Sequence, residues 1–233
     1  MKSQHIGALA LAIAVVILGL LLKQGLTSFS GKERTVNVKG LSEMEVPADK
    51  VTWPLVYKEI GNDLQDLYVR INENNKVLTE FLISHGIDAE EIGINAPEII
   101  DMSAERYSTS PAPYRYNVTS VVTVSSSKVD LVRKLISDQG ELLKQGIAII
   151  GGEYRYNTVY TFSGLNQIKP QMIEEATRNA RSAAEKFAQD SESKLGKIKN
   201  ASQGQFTITD RDENTPYIKR IRVVTTVNYY LKD

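Results

Sequence analysis

The chain offers few residues suited to chemistry. It has two histidines. His5 precedes an apolar run, and His85 stands just before Gly86 at the end of a helical pattern. A Ser-His-Asp triad in the folded part would have to use His85. A histidine in that position reads instead as a helix C-cap that favours the dipole. No cysteine occurs, which removes thiolate nucleophiles, disulfides and most structural zinc sites. Two acidic clusters remain, Glu174-Glu175 and Asp210-Arg211-Asp212-Glu213. The first reads as carboxylates in the opening turns of a helix, the second as a charged hairpin loop. There is no G-x-S-x-G, and Gly151-Gly152 runs into Glu153-Tyr154 without a Lys-Ser/Thr to hold phosphate. The sequence therefore predicts no catalytic residue, no metal and no cofactor.

Tyrosine is the plentiful functional side chain, with Tyr107, Tyr114, Tyr116, Tyr154, Tyr156, Tyr160, Tyr217, Tyr229 and Tyr230 in the folded part. Aromatic rims suit carbohydrate or partner surfaces, and half-buried strand tyrosines are the plainer reading. Lysine plus arginine and aspartate plus glutamate both number 28, so the formal charge is zero. The basic excess that nucleic-acid binding needs is missing.

The elements that would position these residues follow from periodicity. Thr35–Leu41 alternates like a strand, and Val46-Pro47-Ala48-Asp49 reads as a turn. Val51–Ile60 is a second strand, with Pro54 pushing it towards an edge or bulge. Asp63–His85 is a helix with Leu64, Leu67, Ile71, Leu78 and Phe81 on one face, stopped by Gly86. Ile92–Glu105 and Tyr114–Val124 read as paired strands around the loop YSTSPAP. Ser127, with Asp130 three residues on, predicts the cap of a second helix. Ile147–Ile150 and Tyr154–Phe162 are strand-like. A third helix has Pro170 in its first turn and runs to Leu195, where Gly196 ends it. Ile198–Thr209 and Tyr217–Leu231 are strands again, and Lys219-Arg220-Ile221-Arg222 reads as the solvated face of an edge strand. The order strand, helix, strand, proline loop, strand occurs at 51–124 and again at 154–231. The expected fold is α+β: two similar strand-helix-strand-strand units with antiparallel sheets and helices packed on one face.

Ile6 to Leu22 is an unbroken apolar run flanked by Lys2 and Lys23. Seventeen residues at 1.5 Å each give about 25 Å, so the run predicts one uncleaved N-terminal transmembrane helix. A cleaved signal peptide would need a small-x-small exit, and Leu22 is followed by KQGLTSFSG. The predicted layout is an anchor at 1–23, a Gly/Ser-rich linker at 24–33 and a folded domain at 34–233.

Three segments together resemble the SIMPL-domain family of bacterial envelope proteins. The first comprises Val38, Gly40, Glu43, Val46, Pro47, Ala48 and Asp49. The second is the helix end Leu82-Ile83-Ser84-His85-Gly86-Ile87. The third is the ladder Ala176, Ala180, Ala184 and Ala188, closed by Leu195-Gly196-Lys197-Ile198. Val51-Thr52-Trp53-Pro54 departs from the smoother aliphatic strand usual there. The resemblance implies an exported, membrane-anchored α+β protein on the periplasmic or outer side of the cytoplasmic membrane. It also implies members that assemble into ring-like or channel-like homo-oligomers, and no established catalytic residues. The leading expectation is a non-catalytic, self-assembling scaffold or partner-binding module, with Trp53, Pro54, Tyr57, Pro111 and Pro113 as candidate contacts and Ile6 to Leu22 as the anchor. Two alternatives stand beside it: a small-ligand binder using Tyr114, Tyr154 or Tyr217, and a carboxylate-based hydrolase of an envelope polymer.

Overall fold

The computed structural model describes residues 13–24, 33–104, 113–151 and 154–233. The strands are β1 (Thr35–Pro47), β2 (Lys50–Gly61), β3 (Ile92–Ile94), β4 (Glu98–Asp101), β5 (Tyr116–Ser126), β6 (Val159–Thr161), β7 (Lys194–Gln203), β8 (Thr207–Asp210) and β9 (Ile218–Lys232). The helices are α1 (Leu64–Ser84), α2 (Val129–Asp138) and α3 (Leu165–Asp190), preceded by a helical segment at 13–24. The fold is α+β with antiparallel sheets. The expected transmembrane helix needs correction. Segment 13–24 spans about 18 Å at 1.5 Å per residue, and among the described residues no helix is long and apolar enough to cross a membrane. Ile6 lies outside the described residues, and Leu22 is exposed on the segment.

The chain forms two compact units. One comprises Ser42–Glu174 and Gln205–Val223; the other comprises Glu175–Gly204, Val224–Asp233 and the chain up to Leu41. In the first unit the sheet order is β3-β5-β2-β6, with β4 also on β5. Helix α1 buries Leu67, Ile71, Leu78, Phe81 and Leu82 in the core with Leu55, Tyr57 and Val122. Asp63 starts it by accepting from the Gln65 and Asp66 amides at 2.7 and 3.2 Å. Gly86, at φ +94°, stops it, with the Ile87 N–H on the Leu82 carbonyl. His85 is the cap the sequence predicts: its ring Nδ1 bonds the Phe81 carbonyl at 2.8 Å. Ser127 is not a cap, because α2 begins at Val129 and the Ser126 hydroxyl accepts from the Lys128 N–H instead.

In the other unit the alanine ladder of α3 is fully buried over β1 and β9, with Val38, Val227 and Tyr229. Small side chains four apart let the helix backbone come down onto β1. A Cβ on Gly40 would collide with the Ala176 carbonyl oxygen and the Ala180 nitrogen, and would lie 2.9 Å from the Ala180 Cβ. The helix starts five residues before Pro170 and ends at Asp190 rather than Leu195. It closes with the Ser193 N–H on the Ala188 carbonyl and Glu192 at φ 53°. Gly196 serves β7 instead, since a Cβ there would sit 2.7 Å from the Tyr230 carbonyl oxygen.

Strand β9 lies between β1 and β7. The basic stretch is therefore central rather than on an edge: Lys219 is buried and paired with Asp210. Arg220 and Arg222 meet Glu45 and Glu43 on β1. Pro54 likewise sits inside the sheet, with β5 along the whole of β2. The Val56 carbonyl accepts from Ile150 on the side away from β5. By strand alternation Pro54 turns its nitrogen to that same side, where β6 has already ended at the partner of Thr52. The strand expected at Ile92–Glu105 is broken at Asn95–Pro97 into β3 and β4, which run along β5 with a one-residue register step; Glu105 itself lies outside the described residues. β7 and β8 are broken the same way along β9.

Candidate functional site

The residues expected at a partner contact are not gathered together. Trp53 and Tyr57 are only 3% and 2% exposed and belong to the core around α1. Pro54 is half-buried, Pro113 is exposed, and Pro111 lies outside the described residues. The proposed tyrosine rim is not assembled either. Tyr114 is exposed. Tyr217 is half-buried beneath the Arg133 guanidinium, 3.4 Å from the ring centre, and edge-on to Tyr160. The Tyr154 side chain and Tyr107 lie outside the described residues.

The concave feature that does form lies between α1 and the outer strands of its sheet. It is a cavity of about 120 Å³ lined by Leu64, Tyr68 and Asn72 from α1, and by Ile94, Pro97 and Ile99 from the β3–β4 side, among others. Among the described residues no charged one lines it. Ile94 and Ile99 are 55% and 52% exposed. Its polar floor is Asn75, itself 7% exposed. The Asn75 Oδ1 accepts from the Tyr57 hydroxyl at 2.9 Å and from the Ser120 hydroxyl at 3.1 Å; the Tyr57 hydroxyl also reaches the Ile71 carbonyl at 3.0 Å. Burial pushes the Tyr57 phenol above its ordinary pKa, so it stays a donor. Sequence reasoning missed this site because it assigned Leu64 to the core face. The available signal was the stripe Leu64-Tyr68-Asn72, four apart, beside the buried stripe Leu67-Ile71-Asn75. Together they make the apolar face of α1 wider than one sheet covers.

Among the described residues no three histidine or acidic side chains come together as a metal site. A second hollow on the other side of β4 holds one acid, Glu98, tied to Arg155 at 3.2 Å.

The motif around Asp49 has a structural job. Its carboxylate accepts from the Ser163 N–H and hydroxyl and from the Gly164 N–H, at 2.7–3.2 Å, and so fixes the turn from β6 into α3. The family model that matches this chain is SIMPL, described as protein of unknown function, over residues 36–227. The chain belongs to the SIMPL family. No curated protein matches it. The matched span takes in the Asp49 turn, both long helices and all nine strands in whole or part.

Acid should loosen this SIMPL domain through three aspartates. At Asp49 burial raises the pKa, but the Ser163 and Gly164 hydrogen bonds outweigh it and the net shift is downward. Hydrogen bonds from Arg115 and Ser103 hold Asp101 at about 2. Asp212 is lowered by Thr215, whose hydroxyl and N–H it accepts, helped by Arg211. Unfolded, all three titrate near about 4. Their stabilising contribution is complete above that pH and is lost as pH falls through the folded values. The melting temperature should hold from pH 7 to about 5 and fall steadily below about 4. Asp49→Asn should start lower and show a shallower acid slope. An unchanged slope in that variant would remove Asp49 from the account.

Proposed function

We propose that the protein is a non-catalytic, self-assembling partner-binding module. The observation that carries this is the sheet order β1-β9-β7, which leaves a 13-residue strand and a 10-residue strand as its two edges. Among the described residues each edge carries backbone donors and acceptors on one side that the sheet does not use. Different edges of one sheet meeting head to tail make a heterologous contact, which closes into a ring when the rotation allows it. Lys194, Lys197 and Lys199 along β7 discourage pairing with arbitrary strands. Ile198 on β7 is an exposed apolar contact for a matched one. The cavity beside α1, with no acid or charged residue among the described residues of its lining, favours binding over hydrolysis. Placement of the domain in the bacterial envelope is part of the same proposal and is supported by the family resemblance.

Sedimentation of the full-length chain at micromolar concentration tests it. The expected result is a species several times heavier than the 25.9 kDa chain, insensitive to moderate salt. A lone species of chain mass would end the self-assembly reading.

A further inference from the structure

We infer that the cavity between α1 and β3–β4 receives one apolar side chain of an extended, uncharged peptide segment that adds as a strand to the outer edge of β4. The inference rests on the partner-binding reading and gives that partner a chemistry.

Four observations carry it. First, among the described residues the lining is neutral throughout, so a charged occupant would be desolvated without a counter-charge. Second, the volume of about 120 Å³ is close to the roughly 150 Å³ at which an apolar cavity holds benzene, which is the scale of one aromatic or branched side chain. Third, Asn75 is more than nine-tenths buried and both bonds to its Oδ1 come from within the protein, while its Nδ2 has no partner among the described residues. An occupant with an acceptor at its tip, such as a tyrosine hydroxyl, would satisfy it. Fourth, the cavity is walled by an open strand. Among the described residues β4 pairs with β5 alone, and the Met102 N–H bonds the Arg115 carbonyl. Alternation then turns the backbone groups of Glu98 and Ile100 towards β5 and those of Ile99 and Asp101 outwards; the Asp101 carbonyl is taken by the Ala104 N–H at 3.0 Å, so the Ile99 N–H and carbonyl and the Asp101 N–H are the groups left for a guest strand. An open edge running beside a helix-walled groove is the arrangement that peptide strand addition uses: the ladder supplies affinity and the groove selects side chains. The α1 wall from Leu64 to Asn75 is about 16 Å long, which matches about five extended residues.

The probes are acetylated and amidated pentapeptides Thr-Val-X-Val-Thr, with all twenty residues at X, titrated into full-length ¹⁵N-labelled protein. Saturable binding is expected for tyrosine, phenylalanine and leucine at X, with amide shifts at Ile94–Asp101 and along Leu64–Asn75. Aspartate or lysine at X should weaken it at least tenfold. Tyr68→Glu and Ile99→Lys replace exposed side chains, so they should abolish binding and leave the melting temperature in place. Absence of binding for every X at millimolar concentration overturns the inference, as does binding that survives both variants. If p-cresol alone binds as tightly as the tyrosine peptide, the ladder contributes nothing and the peptide reading falls to a small-ligand pocket. A sedimenting monomer that binds the peptides leaves this inference standing and removes only self-assembly; an oligomer that ignores them does the reverse.

Discussion

Gly40→Ala should be the most damaging alanine substitution among the described glycines, costing about 3–5 kcal/mol or preventing folding. The added Cβ has nowhere to go. It meets the backbone carbonyl of Ala176 and the backbone nitrogen of Ala180, not the flexible end of a side chain. Relief would require α3 to lift off β1, which opens the contacts of Val38, Ala180, Ala184 and Val227 together. Overpacking from the helix side should be milder: Ala180→Leu and Ala184→Leu are expected to cost about 1–3 kcal/mol, because leucine can bend away where a backbone cannot. Chemical denaturation of the three variants gives the order directly. A Gly40→Ala protein with wild-type midpoint would mean that α3 and β1 are not in contact at this point.

Trp53→Ala should destabilise the fold by about 3–5 kcal/mol, the usual range for removing a buried aromatic side chain. Trp53 lies on β2 opposite Val124 and packs in the core that includes Leu55 and Val122. The same substitution would have a different signature if Trp53 anchored an assembly: the sedimenting mass would drop while monomer stability stayed put. Denaturation and sedimentation on one preparation separate the two. The expected outcome is a large loss of stability with no change in mass for the protein that remains folded.

The sequence was legible where local rules act alone. Asp63 as a start and His85-Gly86 as a stop define α1 because both work within one turn of backbone. The alanine ladder announces a close helix contact because only small side chains permit it. Its counterpart, Gly40, stands in a far-off strand, and no spacing rule links the two. Errors arose where a residue's meaning depends on its neighbour in space. Pro54 suggests an edge, yet its missing N–H faces the side of β2 past the end of β6, so β5 pairs along the whole strand. Lys219 looks solvated by alternation, and Asp210 across the hairpin makes its burial tolerable. Trp53 and Tyr57 looked available because bulk and aromaticity are shared by cores and interfaces alike. The cavity was hidden for a related reason: Leu64 and Leu67 are the same residue type and both line the hollow, and only the width of the sheet beneath α1 decides that Leu67 is buried and Leu64 stays exposed at the rim.

The register step between β3 and β4 bears on what happens to this protein when it is concentrated. A strand stacking along that edge finds three residues in phase, then a break, then four more displaced by one. Fibril-forming stacks need about six or seven residues in unbroken phase. A short guest segment can therefore settle on either half, but a continuous run cannot propagate along both. The step works as a fuse: it leaves the edge usable for one brief contact and interrupts the circuit before copies can seed an endless fibre.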